Sequence, residues 1–137
     1  MSDDVGGPID VVLHRLDRAQ RTLTLAGSLV EMGELEGAVN RSYYACFYAV
    51  SALLLQHGMK SRKHRGIRSL FNQHFAKTGM ISNDFTRTFN SLFDLRQDSD
   101  YRDFVQFEPD DVRRFCSEAK RFVDEIRRIV EREIQNK

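Results

Sequence analysis

NRSYYACFYAVSALLLQHG, residues 40–58, decides the fold. From 42 to 59 the chain carries no Asp, Glu, Lys or Arg. The strongly apolar part runs only from Tyr43 to Leu55, and Ser42, Ser51, Gln56 and His57 interrupt or flank it. That is too short for a membrane span, so it reads as a buried helix. Its apolar residues occupy almost every face, the pattern of a helix surrounded by others. The spacing predicts a central helix from about Glu34 to His57, stopped by Gly58.

Upstream, Pro8 follows Gly6 and Gly7 and suits a first helical position. Ile9, Val12, Leu13, Leu16, Leu23 and Val30 then mark one face until Gly33 ends the helix. Downstream, a third helix starts near Ser61, carries Ile67, Leu70, Phe71 and Phe75, and ends before Gly79. A fourth starts at Ser82, a residue suited to an N-cap, and fades near Asp98 to Tyr101. After a linker with Phe104 and Phe107, Pro109, Asp110 and Asp111 open a fifth. Its stripe is Val112, Phe115, Cys116, Ala119, Phe122, Val123, Ile126, Ile129 and Val130. There is no strand pattern, repeat or low-complexity segment. Short connections favour antiparallel neighbours. The expectation is all-α: an antiparallel up-and-down five-helix bundle, with residues 1–137 as a single domain.

Composition is that of an ordinary globular chain, 41% hydrophobic and 30% charged. The net charge of +1 argues against a global pull on nucleic acid. The charge is unevenly spread, however. Residues 37–83 hold no acid and seven cations: Arg41, Lys60, Arg62, Lys63, Arg65, Arg68 and Lys77. The remainder is therefore 1 − 7 = −6. Such a split predicts a basic patch, or complementary surfaces that meet on self-association. The acidic start, MSDDVGGP, has no apolar core of a secretory signal. Cys46 and Cys116 lie on apolar helix faces without a CxxC or Cys/His ligand spacing, so reduced thiols in a cytoplasmic protein are expected.

Arg96 stands out. Phe85, Phe89, Leu92 and Phe93 set an apolar stripe on which 96 is the next position. A guanidinium there needs partners. One reading is an i,i+4 pair with Asp100; the other is an arginine that holds phosphate in a groove. Arg41 has Tyr44 and Tyr48 on its helix face and either packs on their rings or adds a second cation. Asn40 is placed to bond locally. The run KSRKHRGIR, 60–68, puts Lys60, Arg62, Lys63 and Arg65 around a helix start, where cations oppose the dipole and an anionic ligand would relieve them. His64 lies within it, and neighbouring cations favour its neutral, base-competent form. None of the four histidines forms an HxH or HExxH pattern, and no metal or cofactor is expected.

Taken in order, NRSYYACFYAVSALL, SRKHRGIRSLFNQHFAKTGMIS and LFDLRQDSDY resemble the HEPN domain family, in particular its small stand-alone prokaryotic members, over roughly residues 34–130. The resemblance implies a five-helix bundle, commonly a homodimer. It also implies a metal-independent ribonuclease site in which an Arg holds phosphate and a His, after four to six intervening residues, assists proton transfer. Arg96 matches the arginine. The histidine's place is taken by Tyr101, Arg102 or Asp103, in a variant that reads Asp100-Tyr101. Some members are toxins paired with a small nucleotidyltransferase that adds AMP to a tyrosine; that modification is not carried over to Tyr101. Two readings stand. One is a nucleotide- or RNA-binding homodimer with scope for toxin-like ribonuclease activity from a degenerate motif, in which Arg96 and His64 are the catalytic candidates and Arg41, Tyr44, Lys60, Arg62, Lys63 and Arg65 the phosphate-binding ones. The other is a non-catalytic module that docks a nucleotidyltransferase partner, with Arg96, Asp100 and Tyr101 as a structural cluster.

Overall fold

The computed structural model describes residues 8–101 and 106–136, with side chains for 8–97 and 106–136. Among these are five α-helices, α1 (Pro8–Glu31), α2 (Leu35–Gln56), α3 (His64–Phe71), α4 (Asn83–Tyr101) and α5 (Pro109–Gln135), with a π-helical turn (Asn72–Ala76) continuing α3. Gly33 and Gly58 end α1 and α2 in the left-handed region, at φ +78° and +77°. A residue with a Cβ is strained there, which is why the chain turns at glycines.

α2 is the central helix. Its buried set, which includes Ala38, Tyr43, Cys46, Val50 and Leu54, covers more than half of its circumference, and the side bearing Arg41, Tyr44, Tyr48 and Ser51 is half-buried. It packs on α1, α4, α5 and α3. Partners on α1 and α2 run in opposite senses, Arg15 with Ser51 and Arg18 with Tyr48, so these helices are antiparallel. Ser42 with Cys116, Cys46 with Ala119 and Gln56 with Val130 keep a near-constant offset, so α2 and α5 run parallel. The alternation is thus carried by the long helices α1, α2, α4 and α5, while short α3 crosses between α2 and α4. Phe71, Phe89, Phe93 and Phe122 fill the centre with Leu16 and Ile126.

Two details, the buried face of α1 and the start of α3, depart from the sequence reading. α1 buries Val12, Leu16, Ala19, Ala26 and Val30 but leaves Ile9 and Leu13 at 43% and 40% exposure. α3 begins at His64 rather than near Ser61, because the Ser61 hydroxyl closes a turn by accepting from the Lys63 amide at 3.3 Å. That leaves Lys60 and Arg62 in a loop. Ser82 stands immediately before Asn83, the first residue of α4, in the N-cap position that the sequence assigned to it. No described helix is long and apolar enough to cross a membrane. Cys46 and Cys116 are both free thiols, Cys46 fully buried.

Candidate functional site

The side chains singled out in the sequence meet where α2, the start of α3 and the end of α4 converge. Tyr43 is fully buried between Phe89, at 6.1 Å and stacked, and Phe93, at 5.9 Å and edge-on. Its hydroxyl lies 2.8 Å from His64 Nδ1. Burial pushes the Tyr43 phenol far up, so it keeps its proton. Among the described residues that hydroxyl has no other acceptor, and it sees no solvent. Tyr43 is therefore the donor and Nδ1 the acceptor. In neutral His64 the remaining proton is then on Nε2, which is a donor.

The imidazole is fixed on three sides. It stacks on Phe47 with centroids 4.1 Å apart, meets Tyr44 edge-on at 5.5 Å, and lies 5.8 Å from the Tyr43 ring. Desolvation lowers its pKa first, and the Arg96 charge lowers it further. The sequence reading expected a neutral imidazole for a different reason, the adjacent cations of the basic run. The causes lie instead in burial and in a cation brought from α4.

Arg96 is half-buried. Its Nη2 donates to the Tyr44 hydroxyl at 3.2 Å, and its guanidinium lies 5.3 Å from the Tyr44 ring and 5.4 Å from the Tyr43 ring. Arg41 covers the Tyr44 ring at 4.7 Å and is steadied by Asn40, whose Oδ1 accepts from Nη2 at 2.7 Å. Arg18, rather than Arg41, covers Tyr48, at 4.6 Å. Arg96, His64, Tyr44 and Arg41 thus form one cluster: two guanidiniums, a hydroxyl and a neutral imidazole on an aromatic bed. Such a group can hold an oxyanion by charge and donated hydrogen bonds.

The basic run does not join the cluster as a block. Lys60 and Arg62 line a separate cleft with Arg15 and Ser51. Lys63 precedes α3 in extended conformation, and Arg65 is exposed on its first turn. Asp100 and Tyr101, with the expected Arg96–Asp100 pair, lie outside the described side chains. No group of three or more metal-ligating side chains occurs among the described residues. Tyr43 and Phe47, which hold His64 in place, were read only as apolar positions; their i,i+4 spacing across from the basic run was the available signal.

With this geometry in view, comparison with known proteins is informative. The model of the HEPN domain matches residues 12–129. A UPF0332 protein of Thermotoga maritima is 40% identical over 114 residues, 83% of this chain and 86% of that protein. A UPF0332 protein of Archaeoglobus fulgidus is 30% identical over 122 residues, 89% of this chain and 97% of that protein. A protein of Methanocaldococcus jannaschii named "Putative toxin MJ0605" is 31% identical over 113 residues, 82% of this chain and 84% of its own length. Since the family model spans most of the chain and these relatives cover most of it as well, the chain belongs to the HEPN domain family.

Proposed function

We propose that this protein is a toxin-type HEPN homodimer that binds RNA through Arg96, Tyr44 and His64, holding a backbone phosphate rather than cleaving beside it. One observation carries the reading. Arg96 and His64, 32 positions apart in sequence, are brought onto the same two tyrosine rings, and the imidazole is held neutral. A guanidinium supplies charge and paired donors to phosphate oxygens. The neutral imidazole adds a donor at Nε2, while its Nδ1 lone pair is already occupied by Tyr43. A general base needs a vacant lone pair, so this tautomer favours holding over proton abstraction. The toxin-type assignment is supported by the name of the Methanocaldococcus relative. The dimer is supported by the charge asymmetry of the chain, which suits two copies meeting about a two-fold axis.

The test is RNA binding and cleavage by the purified protein in EDTA, beside Arg96→Ala and His64→Ala. Losing a charged hydrogen-bonding group costs about 1.5–3 kcal/mol, so Arg96→Ala should weaken RNA binding by about tenfold or more. His64→Ala should weaken it less, and no protein should cleave. Binding unchanged in Arg96→Ala would sink the reading. Cleavage lost in both variants would replace it with a ribonuclease. Sedimentation at micromolar concentration checks the dimer.

A further inference from the structure

Arg41, Tyr44, Tyr48 and Ser51 recur on α2 at i, i+3, i+7 and i+10, the spacing that keeps residues on one side of a helix. A guanidinium lies on each station after the first. Arg41 and Arg96 cover the Tyr44 ring at 4.7 and 5.3 Å, and Arg18 covers the Tyr48 ring at 4.6 Å. Arg15 donates to the Ser51 hydroxyl at 2.8 Å and to its carbonyl at 3.3 Å. From Arg41 to Ser51 is ten residues, about 15 Å at ~1.5 Å per residue. At the Ser51 end the stripe opens into a cleft of about 440 Å³ lined by Arg15, Lys60 and Arg62, with Met59 and Ile67 as apolar wall.

That cleft contains three cations and no carboxylate. Among the described residues, Arg15, Lys60 and Arg62 form no ion pair, whereas Arg21, Arg68, Arg113 and Arg128 each sit on an acid at 2.7–3.1 Å. Converging cations without a counter-charge repel one another, and a bound anion removes that cost. The cleft and the Arg96 cluster lie at the two ends of one stripe. Between them, the guanidinium plates on tyrosine rings are surfaces on which bases stack.

We propose that the Arg15–Lys60–Arg62 cleft is a second phosphate site for the same RNA strand held at Arg96, so that single-stranded RNA lies along α2 over Arg41–Tyr44 and Arg18–Tyr48. The proposal rests on the RNA-binding reading above and extends it to ligand length and direction.

The experiment compares an RNA of about three nucleotides with one of about twelve, within the range bound by single-strand modules. Binding is measured across a salt series for wild type, Arg96→Ala and Arg15→Gln/Lys60→Gln/Arg62→Gln. The glutamine at 15 keeps a donor for Ser51. The triple variant should bind the short RNA like wild type. It should bind the long one about tenfold more weakly, with a salt slope smaller by ~0.7, the amount for one phosphate contact on a single strand. Arg62→Gln alone, in an exposed loop, should lose about a third of that slope change and guards against misfolding of the triple variant. An unchanged slope and affinity for long RNA in both variants would overturn the second site while leaving the Arg96 reading intact. Wild type that binds neither RNA would overturn both. Inorganic phosphate, at matched ionic strength, should displace long RNA no better than chloride. Phosphate that displaces it from wild type but not from the triple variant would mark a free-phosphate pocket and overturn the strand path.

Discussion

Two histidines bracket the connection between α2 and α3, and they have opposite surroundings. His57 ends α2 with Nε2 at 3.0 and 3.1 Å from the two carboxylate oxygens of Glu133 on α5. Gln56 donates to the same Glu133 at 2.6 Å, so this corner fastens α2 to α5. His64 opens α3 against a buried tyrosine hydroxyl, a phenylalanine face and an arginine. An imidazole opposite a carboxylate completes its pairing inside the fold. An imidazole beside a cation resists taking up a proton of its own and stays a neutral donor. What faces the histidine, rather than the histidine itself, separates a structural corner from the proposed ligand site.

The largest expected effect comes from removing the bed under His64. Tyr43→Ala empties a fully buried aromatic position among Phe89, Phe93 and Phe47, at a cost of about 3–5 kcal/mol in denaturant unfolding. Tyr43→Phe keeps the ring and loses only the bond to Nδ1, about 1 kcal/mol, and frees the His64 lone pair. If His64 is a donor held in its tautomer by Tyr43, Tyr43→Phe should weaken RNA binding despite leaving the protein folded. The counterpart at the other histidine is Glu133→Gln, which should cost under about 1 kcal/mol, as partly exposed ion pairs do, and leave RNA binding unchanged. Equal effects of the two on RNA binding would erase the distinction between the histidines.

A smaller effect follows from the titration of His64. Its folded pKa lies below the unfolded value of 6.5, through burial first and Arg96 second. As pH falls through that unfolded value, the unfolded chain takes up a proton that the folded state refuses until the lower folded pKa is reached. The unfolded state then binds more protons, so His64 makes the protein less stable as pH falls across this window, and the loss levels off below the folded pKa. Denaturant unfolding at about pH 7.5 and about pH 5.5 should show a drop that shrinks in His64→Gln and in Arg96→Ala. A drop identical in wild type and both variants would mean that the imidazole is not held neutral by these two causes.

The bundle was legible because burial follows period: the all-round apolarity of 43–55 marks α2 as central, and Gly33 and Gly58 end their helices where left-handed backbone is needed. Arg96 was legible for the complementary reason, a cation on an apolar stripe. That His64 and Arg96 share two tyrosine rings was not legible, since it depends on how α3 crosses between α2 and α4, and that crossing is set by tertiary packing. The splitting of the basic run was hidden for a local reason. A run of cations reads as one feature, yet the turn at Ser61 sends Lys60 and Arg62 toward α1 and leaves His64 facing α4.

That turn supports the smallest and most local prediction. A Cβ at Gly66 would run into the Ser61 hydroxyl, so the turn that separates the two halves of the run depends on glycine at the first turn of α3. Two effects oppose each other in Gly66→Ala. Alanine favours the helix by about 1 kcal/mol over glycine, while the displaced Ser61 loses its bonds to Lys63, also worth about 1 kcal/mol. The single variant should therefore stay within about 1 kcal/mol of wild type. In a Ser61→Gly background the hydroxyl and the Cβ that would crowd the new methyl are both gone, and Gly66→Ala should stabilise by close to the full propensity difference. A double-mutant cycle by chemical denaturation reads the coupling between the two positions. Additive behaviour would mean that the turn is held by something other than Ser61 over Gly66, and the separation of Lys60 and Arg62 from His64 would then need a different cause.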